Sequence, residues 1–243
     1  MGVGNTTATA EIEIADEQIK YRVVESADAT QPRIDVDIQE VKVVVPADGA
    51  MDPHAFVQEN SDWIARKWRK YDGYRKRAPD RTFDPGEMFP YQGDDRILRI
   101  RDVDEHEITD EEIVLAKHTV EESSVQNELE ALFREQARGL FEELAAEYAN
   151  EMGVDYDGLA VRNQRTRWGS CSPKQNLSFN WRLIMAPPKI AEYVVVHELA
   201  HLREQNHTNR FWRIVREQLP DYREQANWLE EHSVELIFTE GDL

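Results

Sequence analysis

The segment APPKIAEYVVVHELAHL, residues 186–202, constrains the fold more than any other stretch of the chain. Its paired prolines suit the first turn of a helix, and the residues after them are apolar on nearly every side. Such a helix is a core element, and the remaining chain has to cover it. Yet His197 and His201 lie within it, and two imidazoles placed there need partners or a metal to offset their desolvation. Positions i and i+4 share one helix face, so both rings can be aimed at a single ion.

Glu198 lies one residue round, close enough to face a water at such an ion without ligating it. Hydrolysis needs that division of labour. A cation lowers the pKa of water toward ~7, and a neighbouring carboxylate takes the proton as general base and returns it to the leaving amine. Zinc suits neutral imidazoles, and its catalytic sites keep three protein ligands and one open position. His207 follows His201 by six residues, the interval of the longer H-E-x-x-H-x-x-G-x-x-H pattern. There a glycine lets the helix break. Here Glu204 takes that position, so the break is expected later, at Asn206, which tolerates a left-handed backbone. The last methionine is Met185, ahead of the motif, which excludes the downstream Met-turn of a metzincin. Two blander readings are a surface helix with solvated histidines and a structural zinc site. The structural site usually completes four protein ligands and has no use for Glu198.

Residues 1–17 are small, polar and acidic, and read as a tail. Between Ile19 and Pro46 the runs IKYRVV, RIDVDI and VKVVVP predict half-buried antiparallel strands, with Ile34, Val36 and Ile38 opposed to Asp35 and Asp37. DPHAFVQENSDWIARKWRKY predicts one helix with a stripe of Phe56, Val57, Trp63, Ile64 and Trp68. Turns and short strands come next, over FDPGEMFPYQGDDRILRIRDV. Asp102 to Glu122 carries nine acids and the single Lys117, and reads as a solvated loop leading into a helix. The strongest helical period is that of Val125, Leu129, Leu132, Phe133, Leu140, Phe141, Leu144 and Tyr148, with Ser124 as cap and Gly153 as terminator. A hairpin around CSPKQ comes after it, with Leu177, Phe179, Trp181 and Leu183 alternating against Ser178, Asn180 and Arg182. The fold class expected is α+β, with an N-terminal strand-rich part over 18–115 and a helical metal-binding part with a hairpin over 116–243.

RTRWGSCS, LSFNWRLIMAPPKIAEYVVVHELAHL and NHTNRFWRIVREQLPDYREQANWL together resemble the YgjP-like metallopeptidase family, which is related to the SprT-like zinc proteases. The resemblance is nearly continuous from about residue 160 to 230 and looser over about 19–100. It implies a zincin-type arrangement with His197, His201 and His207 on Zn2+, Glu198 as the catalytic residue, and a peptide or protein as substrate. The N-terminal strands and the acidic stretch near 102–122 fit the family pattern least.

Cys171 raises a rival, a peptide deformylase, in which Cys joins two His of H-E-x-x-H on the metal; here the chain reads GSCS, and His207 makes Cys171 redundant. Arg167 could position substrate, while Trp168 reads as packing. Asn180 and Arg182, on the polar face of a strand just before the motif helix, are candidates for an edge that pairs with extended substrate. Tyr222 could assist an oxyanion or simply pack between helices. RKWRKYDGYRKR, residues 66–77, mixes cations with Trp68, Tyr71 and Tyr74 in a way that could contact nucleic acid, though a solvated helix face is the commoner origin of such a run. A non-catalytic zinc-stabilised binding module, with nucleic acid as partner, is therefore the alternative to a hydrolase. The net charge of -19 disfavours it at low salt, because phosphates would be repelled. Acidity on that scale, with 21 Arg to 8 Lys, resembles proteins of salt-loving organisms. One cysteine, no secretory pattern at the start and no long apolar run lead to the expectation of a cytoplasmic protein with no membrane span.

Overall fold

The computed structural model describes residues 7–14, 17–26, 29–36, 40–47, 51–75, 77–164, 167–239 and 242. It is mixed α+β, with three small sheets and seven α-helices among those residues. The chain divides into two compact units, Met1–Ala78 and Pro79–Asp242. The boundary expected at 115/116 falls inside the second unit, where strand 112–116 and helix 125–152 enter one core.

The first unit holds strands β1 (Thr7–Ile14), β2 (Glu17–Ser26), β3 (Arg33–Val36) and β4 (Val41–Pro46) in the order β1-β2-β4-β3. β1 occupies residues read from the sequence as tail, and it pairs antiparallel with β2 along its whole length. β3 and β4 pair antiparallel, as the alternation predicts, but β4 lies parallel to β2 because β3 takes the outer edge. Asp37 and Ile38 lie outside the described residues. The expected single helix is two, α1 (Pro53–Glu59) and α2 (Ser61–Arg75). Asn60 ends the first: its side-chain amide donates to the Phe56 carbonyl at 2.8 Å. Val57 and Ile64 are fully buried and Trp68 packs against the same core, while Trp63 is 37% exposed. In the 66–77 cluster, Arg66, Lys67 and Arg69 are exposed, whereas the side chains of Lys70, Tyr74 and Arg75, and residue 76, lie outside the described part.

The second unit carries the motif helix. Strands β5 (Met88–Tyr91), β6 (Asp94–Arg101), β7 (Glu107–Ile108) and β8 (Glu112–Ala116) form a sheet in the order β5-β6-β8-β7. The acidic stretch is thus not all loop: Ile113, Val114, Leu115 and Ala116 are a buried strand, and their apolar run outweighs the flanking charge. Helix α3 (Lys117–Glu122) leads to α4 (Val125–Met152). Ser124 caps α4 by accepting from the Asn127 N–H, and Gly153 ends it at φ 61. Leu129, Phe133, Ala137, Phe141, Ala145 and Ala149 recur every fourth residue and are buried. Strands β9 (Gly158–Arg162), β10 (Gly169–Cys171) and β11 (Asn176–Asn180) form a sheet in the order β10-β11-β9. A 3-10 turn, Trp181–Met185, then delivers the chain to α5 (Pro188–Ala200). The β5–β6 tip fixes that delivery. Gln92 and Gly93, both at positive φ, donate their N–H groups to the Ile184 and Met185 carbonyls at 2.7 and 3.2 Å. Helices α6 (Asn209–Gln218) and α7 (Tyr222–His232) complete the unit.

Candidate metal centre

Pro188 occupies the first turn of α5, and nine residues of that helix are buried, Glu198 among them. His197 and His201 come to the same face with ring centroids 5.1 Å apart. His207 has to return to them from beyond the helix end. The chain leaves α5 by tight turns, with Leu202 and Arg203 donating to the Leu199 and Ala200 carbonyls, both at 3.0 Å. No residue from 201 to 207 has a positive φ, so the left-handed break expected at Asn206 does not occur. The reversal uses right-handed turns instead, and Thr208 then caps α6 by accepting from the Phe211 N–H. The His207 ring ends 5.0 Å from His197 and 4.8 Å from His201.

The donor atoms of the three histidines all lie within 4.8 Å of one another. His207 Nε2 and His197 Nε2 face each other at 2.9 Å. Tetrahedral nitrogens held at 2.0–2.1 Å from one ion sit ~3.3 Å apart, so a small widening would admit a metal. Protonation favours the same outcome. Burial, and then the neighbouring His201 and His207, push the His197 pKa down to about 3, and burial also lowers that of His201. Both rings are therefore neutral and keep a lone pair. His201 Nδ1 donates to the Glu204 carbonyl at 3.2 Å, which leaves Nε2 as the bare nitrogen. His197 Nδ1 is buried with no hydrogen-bond partner among the described residues. This donor set fits a metal ion.

Beneath the three rings lies Phe211, fully buried, with its centroid 4.9, 4.6 and 4.7 Å from those of His197, His201 and His207. It is the floor of the cluster, and Trp212 flanks His197 and His207 at 5.8 and 5.6 Å. Neither was singled out from the sequence. The available signal was the aromatic pair Phe211–Trp212, four and five residues after the third histidine, in the first turn of α6.

Glu198, 6% exposed, turns toward β10. Burial pushes its pKa up to about 7, opposed by the Arg167 charge and by a hydrogen bond from the Cys171 backbone. A Cβ on Gly169 would lie 2.7 Å from both Cγ and Oε1 of Glu198. Only glycine leaves room for that carboxylate. A cleft of about 460 Å³ gathers the three histidines, Glu198, Arg167 and residues 169–171.

Asn180, Arg182 and Tyr222 do not line this cleft. β11 is the central strand of its sheet and ends at Asn180, so the alternation expected through Leu183 stops there and Arg182 falls in the 3-10 turn. Asn180 and Arg182 are 1% and 3% exposed. Their side chains donate to the Gln164 carbonyl at 2.7 and 3.1 Å and so brace the loop that leads into β10. The Arg182 guanidinium also lies 5.3 Å from the Trp168 ring, a contact in keeping with Trp168 as packing. Tyr222 is buried and stacks on Trp212 at 5.3 Å. Cys171 lines the cleft, but burial and Glu198 push its thiol up to about 11, and it stands outside the three-histidine group.

A family model for the YgjP-like metallopeptidase domain matches residues 30–232. Among solved structures, the metallopeptidase zymogen of Pyrococcus abyssi abylysin aligns at 18% identity over 40% of this chain and 99% of its own. The TM-score of that alignment is 0.36. No curated protein matches the chain.

Proposed function

The chain belongs to the YgjP-like metallopeptidase family, and on that premise we propose that it hydrolyses peptide bonds at a zinc ion held by His197, His201 and His207. The observation that carries this reading is the meeting of three imidazole donors and one buried carboxylate in a single cleft. When bound, zinc supplies a Lewis acid that polarises the peptide carbonyl and makes a water acidic at neutral pH. Glu198 is the general base: its carboxylate takes a proton from the attacking water and delivers it to the departing amine nitrogen. The Cys171 N–H and the space above Gly169 hold that carboxylate in one orientation. Burial pushes the Glu198 pKa up to about 7, and a dication held by the histidines would favour its ionised form, the one that accepts a proton.

The arrangement is zincin-like in its order of parts, a metal helix beside a sheet edge. β10 is the open edge of its sheet and its residues line the cleft, so an extended substrate adds there as a further strand. Asn180 and Arg182 act one layer back, by bracing the loop that carries Arg167.

Purified protein loaded with zinc should cleave unfolded proteins or peptides, lose that activity to a chelator and regain it with zinc. Glu198→Gln keeps the shape but not the base. Its turnover should fall by ~10²–10⁴-fold with zinc content unchanged. Loss of zinc in that variant would make Glu198 a ligand, and undiminished turnover would remove it from the chemistry.

A further inference from the structure

A second cleft, of about 650 Å³, opens between α6 and α7. α6 presents the adjacent Trp212 and Arg213 and, one turn on, Arg216 to it, and α7 presents Tyr222, Arg223 and Asn227. No carboxylate lines it. The three arginines are exposed, and none forms a salt bridge among the described residues; Arg223 Nε donates only to the Tyr222 hydroxyl, at 3.4 Å. On the same unit, Arg99, Arg101, Arg134, Arg138 and Arg210 each have a carboxylate within 4.0 Å, whereas other arginines without a salt bridge among the described residues, such as Arg162, do not gather in one cleft with two more. In a chain with 48 acidic residues and 29 basic ones, three unpaired guanidiniums on one concave surface have the charge of a recognition site.

Trp212 ties this cleft to the histidines. Its ring stacks on Tyr222 at 5.3 Å and lies 5.6 Å from His207 and 5.8 Å from His197. One indole therefore separates the two sites, a span that about three extended residues cover at roughly 3.3 Å each. We infer that the α6–α7 cleft binds acidic side chains of the peptide substrate a few residues from the bond that is cut. The inference rests on the proposal that the histidine site is a peptidase. Guanidinium forks match carboxylates in geometry as well as charge. Nucleic acid fits the cleft less well. Trp212 and Tyr222 turn their faces to each other, with planes 15° apart, rather than offering a platform for bases, and a net charge of -19 repels a long polyanion.

The test pairs peptides of equal length that differ only in an Asp-Glu cluster replaced by Asn-Gln. Zinc-loaded wild type should favour the acidic member by about tenfold in kcat/KM at ~0.1 M salt, and the ratio should shrink toward one at ~1 M, where charges are screened. Arg213→Gln/Arg216→Gln should bring the ratio near one at low salt, while Arg138→Gln, remote from both clefts in sequence and paired with Glu142, should leave it unchanged. Binding is read separately by Trp fluorescence on zinc-loaded Glu198→Gln protein, with the same peptides and with an oligothymidylate. Acidic peptide that binds and is weakened several-fold by the double arginine variant supports the cleft even if no peptide is ever cut, a result that would sink only the peptidase reading. Equal cleavage and equal binding of both peptides by wild type would overturn the cleft and leave that reading standing. Binding of the oligothymidylate in place of the acidic peptide would overturn it as well.

Discussion

Gly169 stands where no other residue fits. An added Cβ would meet Cγ and Oε1 of Glu198 at 2.7 Å, and the neighbouring Cδ at 3.0 Å. Glu198 is itself buried, so it has little space into which to retreat. Gly169→Ala should therefore displace the proposed general base while leaving the three histidines alone. A displacement of about 1 Å can cost ~10²-fold in rate, and a loss of that order in kcat is expected with zinc stoichiometry intact. Near-normal kcat in this variant would show that the position of Glu198 is not what limits turnover. Phe211→Ala acts from the other side. Removing a fully buried ring costs ~3–5 kcal/mol, and here it also takes away the surface on which all three imidazoles rest. The variant should melt at a lower temperature and hold zinc more weakly than any surface substitution on α6. Unchanged zinc affinity would mean that the rings are positioned without their floor.

At the scale of elements, α4 shows how the second unit ties its layers together. His106 Nδ1 accepts from the Ala116 N–H at 3.0 Å, so its Nε2 carries the proton and donates to Glu128 at 3.1 Å. Burial acts to raise the Glu128 pKa, but hydrogen bonds from His106, Ser123 and Thr119 outweigh it and hold the carboxyl below its usual 4.5. A depressed carboxylate stabilises the fold above its unfolded pKa, and that stability is lost as pH falls through the folded value. Glu128→Gln should thus melt lower than wild type at about pH 6, and the gap should narrow as pH falls below the usual 4.5 of a glutamate. A gap that stays constant or widens on acidification would contradict this. α4 and α5 were legible because a helix writes its period and its caps locally, as Ser124 and Gly153 show. The same locality made His197, Glu198 and His201 legible. Pairings between distant segments leave no such trace: nothing in VKVVVP tells that β4 runs parallel to β2, and nothing in WGS tells that Gly169 faces Glu198. β8 was masked differently, by acidic neighbours around a five-residue buried strand. For Asn180 and Arg182 the alternation breaks off where β11 ends: β11 is paired on both edges, Arg182 lies in the 3-10 turn, and both side chains donate to the Gln164 carbonyl.

For the whole molecule the dominant property is charge. At -19 the chain repels itself, and no helix among the described residues is long and apolar enough to cross a membrane. Salt shortens the Debye length from ~10 Å at 0.1 M to ~3 Å at 1 M, so the melting temperature should rise steeply over that range. A melting temperature that is flat or falls with added potassium chloride would remove the case for a protein adapted to saline conditions. It would not touch the histidines. One ion per chain, held by three imidazole nitrogens, is the premise of all the chemistry proposed for this cleft. Zinc K-edge absorption on the purified protein reads that coordination directly. Three nitrogen scatterers at about 2.0–2.1 Å, accompanied only by a light oxygen atom, are the expected result. A sulfur scatterer at about 2.3 Å would put Cys171 on the metal in place of His207 and contradict it.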